Sequence, residues 1–251
     1  MDTSKRVCNY MFALTFLLSI SFLSANAQIS SESSRGQASL SIGVATNLSV
    51  NAEISGHYMF LPYIGIGGGI GIIGQYDYNK VPFGEISSNE STRAFWGLDK
   101  EQRKVVRPYL RPSLLLRTPT LIRFGKERDF ELKLQVEPGL QLTIPYARAR
   151  INYAWYPAQG GYYPDMSEDF ADIPFQTEGY SSRKGDWCFW NLKNSITVTK
   201  DNVYFYLGYS ISNFDLYSIR RNIVVEGVSF HKFYPETKYT HCVFAGIGFV
   251  F

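Results

Sequence analysis

The residues best suited to acid–base or nucleophilic chemistry are three histidines and three cysteines, together with the serines near them. His57 lies close to Glu53 in sequence, and a histidine beside a carboxylate could activate a serine for acyl transfer. The sequence contains no nucleophile motif and no His-x-Ser spacing, and His241 belongs to a separate segment. The histidines and cysteines are also too scattered for a metal site. We therefore predict no catalytic, cofactor-binding or metal-binding residues, and we interpret the histidines as structural.

Seven charged residues form a second candidate site. They share odd-numbered positions in segments where apolar and polar residues alternate, which places them on one face of predicted strands. They are Glu53, Arg107, Arg111, Arg117, Glu131, Lys133 and Glu137. Opposite charges enclosed in a narrow interior of low dielectric constant would pair and hydrogen-bond. We predict a polar cluster that fills the lumen of a barrel, with Arg111 and Glu137 facing inward from neighbouring strands. A small ion-conducting pore is the alternative.

Eight alternating segments must position these side chains. They cover residues 38–45, 48–60, 63–76, 105–118, 130–146, 187–199, 203–212 and 239–251. Tight turns connect them at one end, and long polar connections over residues 77–104, 157–185 and 213–238 connect them at the other, apart from a short hairpin at Asn47. This pattern predicts an all-β fold: an eight-stranded antiparallel up-and-down transmembrane β-barrel with short periplasmic turns and long extracellular loops.

Two local features refine the predicted strands. Gly65, Gly67, Gly69 and Gly71 alternate with isoleucines, and inward glycines in a narrow barrel would make room for long side chains from neighbouring strands. No helix pattern follows them, as a phosphate-binding loop would require. In the fourth segment, Pro108 and Pro112 cannot donate to a strand ladder, so they predict a bulge or an irregular upper end.

Alternation alone does not distinguish a membrane barrel from a lipocalin-like soluble barrel, whose apolar faces point inward. Three features favour lipid on the outside: the chain ends on an aromatic strand, the charged faces hold both signs, and aromatic residues lie near the strand ends. Val243, Ile247, Phe249 and Phe251 share the apolar face of the last segment. In water such a terminal strand would promote aggregation. The sequence therefore predicts a barrel in the outer membrane.

The amino terminus has the pattern of a secretory signal peptide. Lys5 and Arg6 precede an apolar run over residues 11–23, and Ala25 and Ala27 occupy the positions that a signal peptidase selects. The apolar run is much shorter than the ~20 residues that a spanning helix needs. We predict cleavage after Ala27.

Three parts of the chain follow from this prediction: a signal peptide over residues 1–27, a flexible lead-in over residues 28–36, and the barrel domain over residues 37–251. Cleavage removes two basic residues and one acidic residue, which changes the formal charge from +3 to +2. A charge so close to neutral argues against a nucleic-acid partner.

The glycine-alternating strand, the eight-strand meander and the terminal Phe251 give the chain a resemblance to a family. It resembles the small eight-stranded outer-membrane β-barrel proteins of Gram-negative bacteria, a group that includes the OmpA-type transmembrane domain. The resemblance implies that Val243, Ile247, Phe249 and Phe251 form the signal read by the barrel-insertion machinery. It also implies contact with outer-membrane lipid and lipopolysaccharide.

Two functional hypotheses come from different classes. The first is a non-enzymatic barrel with a largely side-chain-filled lumen, whose surface loops contact an extracellular ligand through exposed aromatic residues such as Trp96, Trp155, Tyr162 and Tyr163. The second is a lipid A-modifying enzyme, because some eight-stranded barrels have that activity. We predict the first, without a cofactor.

Overall fold

The computed structural model describes residues 36–75, 81–88, 92–157 and 176–251. The signal peptide, its cleavage residues Ala25 and Ala27, and the lead-in as far as residue 35 lie outside the described residues. The strands are β1 (Gly36–Ala45), β2 (Ser49–Leu61), β3 (Ile64–Gln75), β4 (Phe83–Ser88), β5 (Thr92–Leu98), β6 (Val106–Arg117), β7 (Ile122–Phe124), β8 (Phe130–Thr143), β9 (Ala147–Pro157), β10 (Gln176–Ser182), β11 (Cys188–Lys200), β12 (Val203–Ser212), β13 (Val224–Val225), β14 (Val228–Ser229) and β15 (Thr240–Val250). Short 3₁₀ helices cover Lys100–Gln102, Arg220–Asn222 and Phe230–Lys232. In the described part of the chain, no helix is long and apolar enough to cross a membrane.

The barrel is a closed antiparallel ladder of eight strands. Its order is β11, β12, β15, β1, β2, β3, β6 and β8, and β8 pairs with β11 to close the ring. The short strand β7 adds to β8 beyond the end of β6. Each of the eight alternating segments corresponds to one of these strands, so the predicted eight-stranded antiparallel barrel is confirmed.

The two prolines of β6 do not cause the predicted bulge. Pairing between β3 and β6 keeps one register from Ile64 opposite Leu116 to Gly74 opposite Val106. Pro108 and Pro112 lie four residues apart, so their missing donors point to the same side of the strand. Pairing of β6 with β8 is correspondingly interrupted between Leu110 and Ser113, without a change of register. The missing donors of both prolines therefore affect only the pairing between β6 and β8, and the pairing between β3 and β6 stays continuous.

Apolar residues cover the outside of the barrel, and polar residues line its inside. The exposed outward residues include Leu40, Ile42, Ile54, Ile66, Ile70, Leu110, Leu134, Ile196, Phe205, Leu207, Val243 and Phe249. The buried inward residues include Ser41, Glu53, His57, Arg111, Gln135, Gln141, Lys193, Thr197 and Ser210. A soluble ligand-binding barrel has the opposite distribution. The continuous apolar belt therefore faces lipid.

The long connections form a folded cap on one end of the barrel, where long surface loops were predicted apart from a continuation of the fifth strand over residues 147–156. Strands β4, β5, β9 and β10 make a second antiparallel sheet in the order β10, β9, β5, β4. Its side chains share a core with residues 214–234 and with the barrel rim. The fully buried members include Trp96, Leu98, Ile151, Phe214, Leu216 and Phe230. Since outer-membrane barrels have short periplasmic turns, the cap lies on the extracellular side.

The cap changes the interpretation of the aromatic residues that were expected to be exposed. Trp96 is completely buried and stacks on Phe230 with ring centroids 6.1 Å apart, so the prediction of an exposed Trp96 was wrong. Trp155 is 53% exposed, as predicted. Tyr162 and Tyr163 lie outside the described residues.

Candidate functional site

A buried ion cluster lies halfway along the lumen. Four strands of the barrel contribute its members. Glu53 is on β2, Arg111 on β6, Glu137 on β8 and Lys193 on β11. Arg111 is 1% exposed; its Nη2 donates to Glu53 Oε1 at 2.9 Å and to Glu137 Oε2 at 2.8 Å. Lys193 Nζ donates to Glu53 Oε1 at 2.6 Å. Two cations and two carboxylates thus form one neutral network across the barrel.

Four further side chains belong to this layer. The Tyr109 hydroxyl donates to Glu53 Oε2 at 2.8 Å, and it also lies 2.8 Å from Asn51 Oδ1. His57 Nε2 lies 3.0 Å from Ser113 Oγ. The second Glu53 oxygen accepts from the Tyr109 hydroxyl and from Arg111 Nε at 3.0 Å, whereas Arg111 Nη1 has no hydrogen-bond partner among the described residues.

Arg107 lies above this layer and holds the cap. Its Nη1 donates to the Asp215 carbonyl at 3.0 Å and to Ser218 Oγ at 2.9 Å, and its Nη2 donates to Thr143 Oγ1. The Asp215 carboxylate in turn pairs with Arg221. Arg107 therefore connects the inside of the barrel to residues 215–221.

A third group lies near the periplasmic end. Arg117 donates from Nη2 to the Pro62 carbonyl at 3.2 Å. Glu131 pairs with Lys133 at 2.6 Å and with Arg123 at 2.8 Å. The seven charged residues selected from the sequence therefore occupy three levels of the barrel, and only Glu53, Arg111 and Glu137 meet in the central cluster.

Sequence reasoning omitted three members of the central cluster: Lys193, His57 and Tyr109. Lys193, like Asn191 and Ser195, has an odd residue number on β11. The three residues therefore share the inward face of that strand. His57 and Tyr109 have the parity of Glu53 and Arg111 on their own strands. The alternation in the sequence already places all three on the lumen face, although the predicted cluster did not include them.

The inward glycines make room for large side chains from neighbouring strands, as predicted. A Cβ at Gly69 would lie 2.7 Å from the Glu53 carboxylate carbon, and one at Gly71 would lie 2.5 Å from the Tyr109 ring. Further pairs follow the same rule toward the periplasmic end: Gly208 with Phe244, Gly246 with Tyr206, and Gly248 with Tyr204. The lumen below the ion cluster is thus occupied by a layer of aromatic rings.

The structure brings together a serine, a histidine and a carboxylate, but their arrangement differs from that of a catalytic triad. His57 Nε2 is 3.0 Å from Ser113 Oγ and also 3.7 Å from Glu137 Oε2. In a triad the carboxylate orients the histidine through its other ring nitrogen. Glu137 also accepts a hydrogen bond from Arg111, and Ser113 is buried inside the lumen. Among the described residues, no group of three histidine, cysteine or acidic side chains could hold a metal ion.

The cap core has the properties of a packed protein interior. Tyr217 stacks on Tyr234 with ring centroids 4.7 Å apart. Burial, reinforced by the neighbouring Tyr234 and Asp215, raises the pKa of Tyr217 to about 12. The raised pKa reflects how completely the Tyr217 hydroxyl is withdrawn from water.

The last strand closes the ladder and presents an apolar outer face. β15 pairs with β1 on one edge and with β12 on the other. Val243, Ile247, Phe249 and Phe251 all point outward and are exposed on the belt. This geometry places them where lipid or an assembly factor could reach them.

Comparisons with known proteins give distant structural likenesses. No family model matches the chain, and no curated protein matches it significantly. Neisserial surface protein A superposes with a TM-score of 0.42 at 11% identity, over 86% of this chain and 96% of that chain. A major outer membrane protein from Thermus thermophilus gives 0.39 at 11% identity, over 86% and 98%. Ail of Yersinia pestis, in complex with the heparin analogue sucrose octasulfate, gives 0.34 at 11% identity, over 86% and 99%.

Because all three TM-scores are below 0.5, the assignment rests on the chain's own strand ladder and surface. A closed ladder pairs neighbouring strands all round the ring and leaves no free edge, as a lipid environment requires. The apolar belt faces outward and the charged residues face inward. The chain is a small eight-stranded β-barrel protein of the outer membrane.

Proposed function

We propose that the chain is a non-enzymatic, non-conducting barrel that supports a folded extracellular cap, and that the cap contacts molecules outside the cell. One observation carries this proposal: the ion cluster around Arg111 crosses the lumen directly beneath the cap core. A pore needs a continuous water path, and an enzyme that acts on membrane lipids needs its nucleophile within reach of lipid. The arrangement of the lumen supports neither.

Obstruction of the lumen has a steric and an electrostatic basis. An eight-stranded barrel is just wide enough for its own side chains. Here the width is taken up by the bridge from Glu53 through Arg111 to Glu137, with Tyr204, Tyr206 and Phe244 on its periplasmic side. An ion that entered would have to separate paired charges in a medium of low dielectric constant.

The cap is suited to recognition because its exposed aromatic and aliphatic groups stand on a sheet with a packed core. Phe83, Ile86, Trp155 and Val224 are all exposed on it. Aromatic residues on a rigid support give contact area at a small cost in conformational entropy. We further propose that outer-membrane lipid surrounds the belt, and that the face containing Phe249 and Phe251 is the signal for the insertion machinery.

Lipid A mass spectra test the enzymatic alternative. Spectra from cells that lack the protein, produce it, or produce Ser113→Ala should show the same acyl and headgroup pattern, because Ser113 and His57 are enclosed in the lumen. Equal amounts of folded protein in the two producing strains are the control. A change that appears with the wild type and disappears with Ser113→Ala would establish an enzyme and end the proposal.

A further inference from the structure

A cleft of about 300 Å³ lies at the extracellular rim, on the side of the barrel. Three segments enclose it: the connection from β5 to β6, the junction between β8 and β9, and the turn that contains Leu216 and Arg220. The ion cluster of the lumen contributes no residue to it.

The cleft opens at the upper edge of the apolar belt. Two residues that line the cleft are also exposed: Val106, the first residue of β6, and Tyr146, just beyond the end of β8. Ile144 and Leu110 continue the exposed apolar surface downward from these two residues. The mouth of the cleft is therefore level with lipid headgroups, because aromatic residues such as Tyr146 mark that layer in membrane barrels.

The walls of the cleft are strongly cationic. Lys104, Arg107, Arg148 and Arg220 line it, against one carboxylate, Glu101. The Glu101 carboxylate lies 3.8 Å from Nη1 of Arg150, a residue that does not line the cleft. Lys104 and Arg148 are both exposed, and the Arg148 guanidinium passes beside Gly179 of β10. An excess of positive charge in a concave site attracts an anion.

Arg220, whose guanidinium lies 5.7 Å from the centre of the Tyr234 ring, still has one donor that no residue described by the structure satisfies. It is only 8% exposed, and its Nη2 donates to the Gln102 carbonyl. Within the described residues, its Nε finds no hydrogen-bond acceptor. Buried guanidinium donors are normally satisfied, so an acceptor from outside the chain fits this position.

We infer that the rim cleft binds the phosphorylated headgroup of an outer-leaflet lipid, whose acyl chains lie along Val106, Leu110 and Ile144. Lys104 supplies a compact charge and Arg148 a planar pair of donors, both suited to phosphate oxygens. Basic pockets at a membrane surface bind anionic headgroups for the same reason. Free phosphate shares this chemistry but would leave the adjoining apolar surface unused. The assignment is independent of what the top of the cap contacts.

Native mass spectrometry of the full protein in a nonionic detergent tests the site. The probes are purified diphosphorylated lipid A, the same lipid with its phosphates removed, and phosphatidylcholine. Lys104→Gln/Arg148→Gln should lower the retention of diphosphorylated lipid A at least about tenfold, since it removes two charge-assisted contacts. The matched control, Arg183→Gln/Lys184→Gln, changes the charge equally at exposed positions of the extracellular side outside the cleft.

The outcomes separate the possible ligands. Wild-type retention that needs the phosphates and survives in the control supports the lipid site. Equal retention by both double variants would overturn it. Complete displacement of the lipid by excess inorganic phosphate would also overturn it, in favour of a site for free anions. Folding is checked by the difference in gel migration between heated and unheated samples; if the double variant does not fold, Lys104→Gln alone replaces it, with Lys184→Gln as control.

Discussion

Replacing Arg111 by leucine should lower the free energy of unfolding of the barrel by about 3–5 kcal/mol. The substitution leaves Glu53 with Lys193 and Tyr109, but within the described part of the chain it leaves Glu137 with His57 alone, at 3.7 Å. A neutral cluster then carries an unpaired negative charge in a medium of low dielectric constant. The Glu137 side chain is 14% exposed, so water that reaches it favours the lower end of this range.

Two control substitutions separate this effect from loss of charge and loss of volume in general. Arg123→Leu removes a guanidinium that is 61% exposed and pairs with Glu131, and it should cost less than about 1 kcal/mol. Leu114→Ala trims a side chain on the lipid face. The double variant Arg111→Leu/Glu137→Gln should recover part of the loss, because it restores neutrality. Urea unfolding in liposomes measures all four. An Arg111→Leu variant as stable as Arg123→Leu would show that the cluster does not hold the barrel together.

Replacing Trp96 by alanine should destabilise the cap by about 3–5 kcal/mol while the barrel stays folded. Trp96 is completely buried, stacks on Phe230 and meets Phe233 edge-on at 6.5 Å. Its loss opens a cavity at the centre of the cap core. Trp155→Ala on the neighbouring strand β9 is the matched control; since Trp155 is 53% exposed, we expect a clearly smaller loss of stability than for Trp96→Ala.

Proteolysis of intact cells compares the stability of the cap in these two variants. It also tests whether the cap lies outside the cell. A protease that stays outside the cell should cleave Trp96→Ala within β4, β5 and β9, at sites that stay protected in the wild type and in Trp155→Ala. The barrel of the cleaved variant should still migrate faster in unheated gels, because its ladder remains closed. Loss of that shift would mean that cap and barrel unfold as one unit, and equal resistance of all three proteins would contradict the packed extracellular cap.

The barrel could be predicted from the sequence because most positions of its long strands alternate between apolar and polar or small residues. Along β8, every even position from Phe130 to Leu134 is apolar, so face and parity are readable without any tertiary information. The role of the inward glycines could be predicted in the same way. A row of glycines on the lumen face of one strand leaves space that side chains from neighbouring strands fill. The long connections in the sequence also distinguished the end of the barrel that carries long loops from the end that carries tight turns.

The cap and the composition of the ion cluster could not be predicted in the same way. Both faces of β5 are covered, since Phe95 and Trp96 are both buried, and the strand therefore shows no alternation. For the cluster, parity gives the face of each charge but not its height along the barrel. That height depends on how strands such as β2 and β11, which are not neighbours, are offset around the ring.

Single-channel recording of the purified wild-type protein in planar bilayers tests the central claim most directly, namely that side chains and cap close the lumen. The ion cluster around Arg111, the aromatic layer and the cap core should leave the bilayer at its baseline conductance after insertion, which is verified by recovering folded protein from the same membranes. Steady, ohmic current steps that scale with salt concentration would contradict the claim and assign the chain to the small pores.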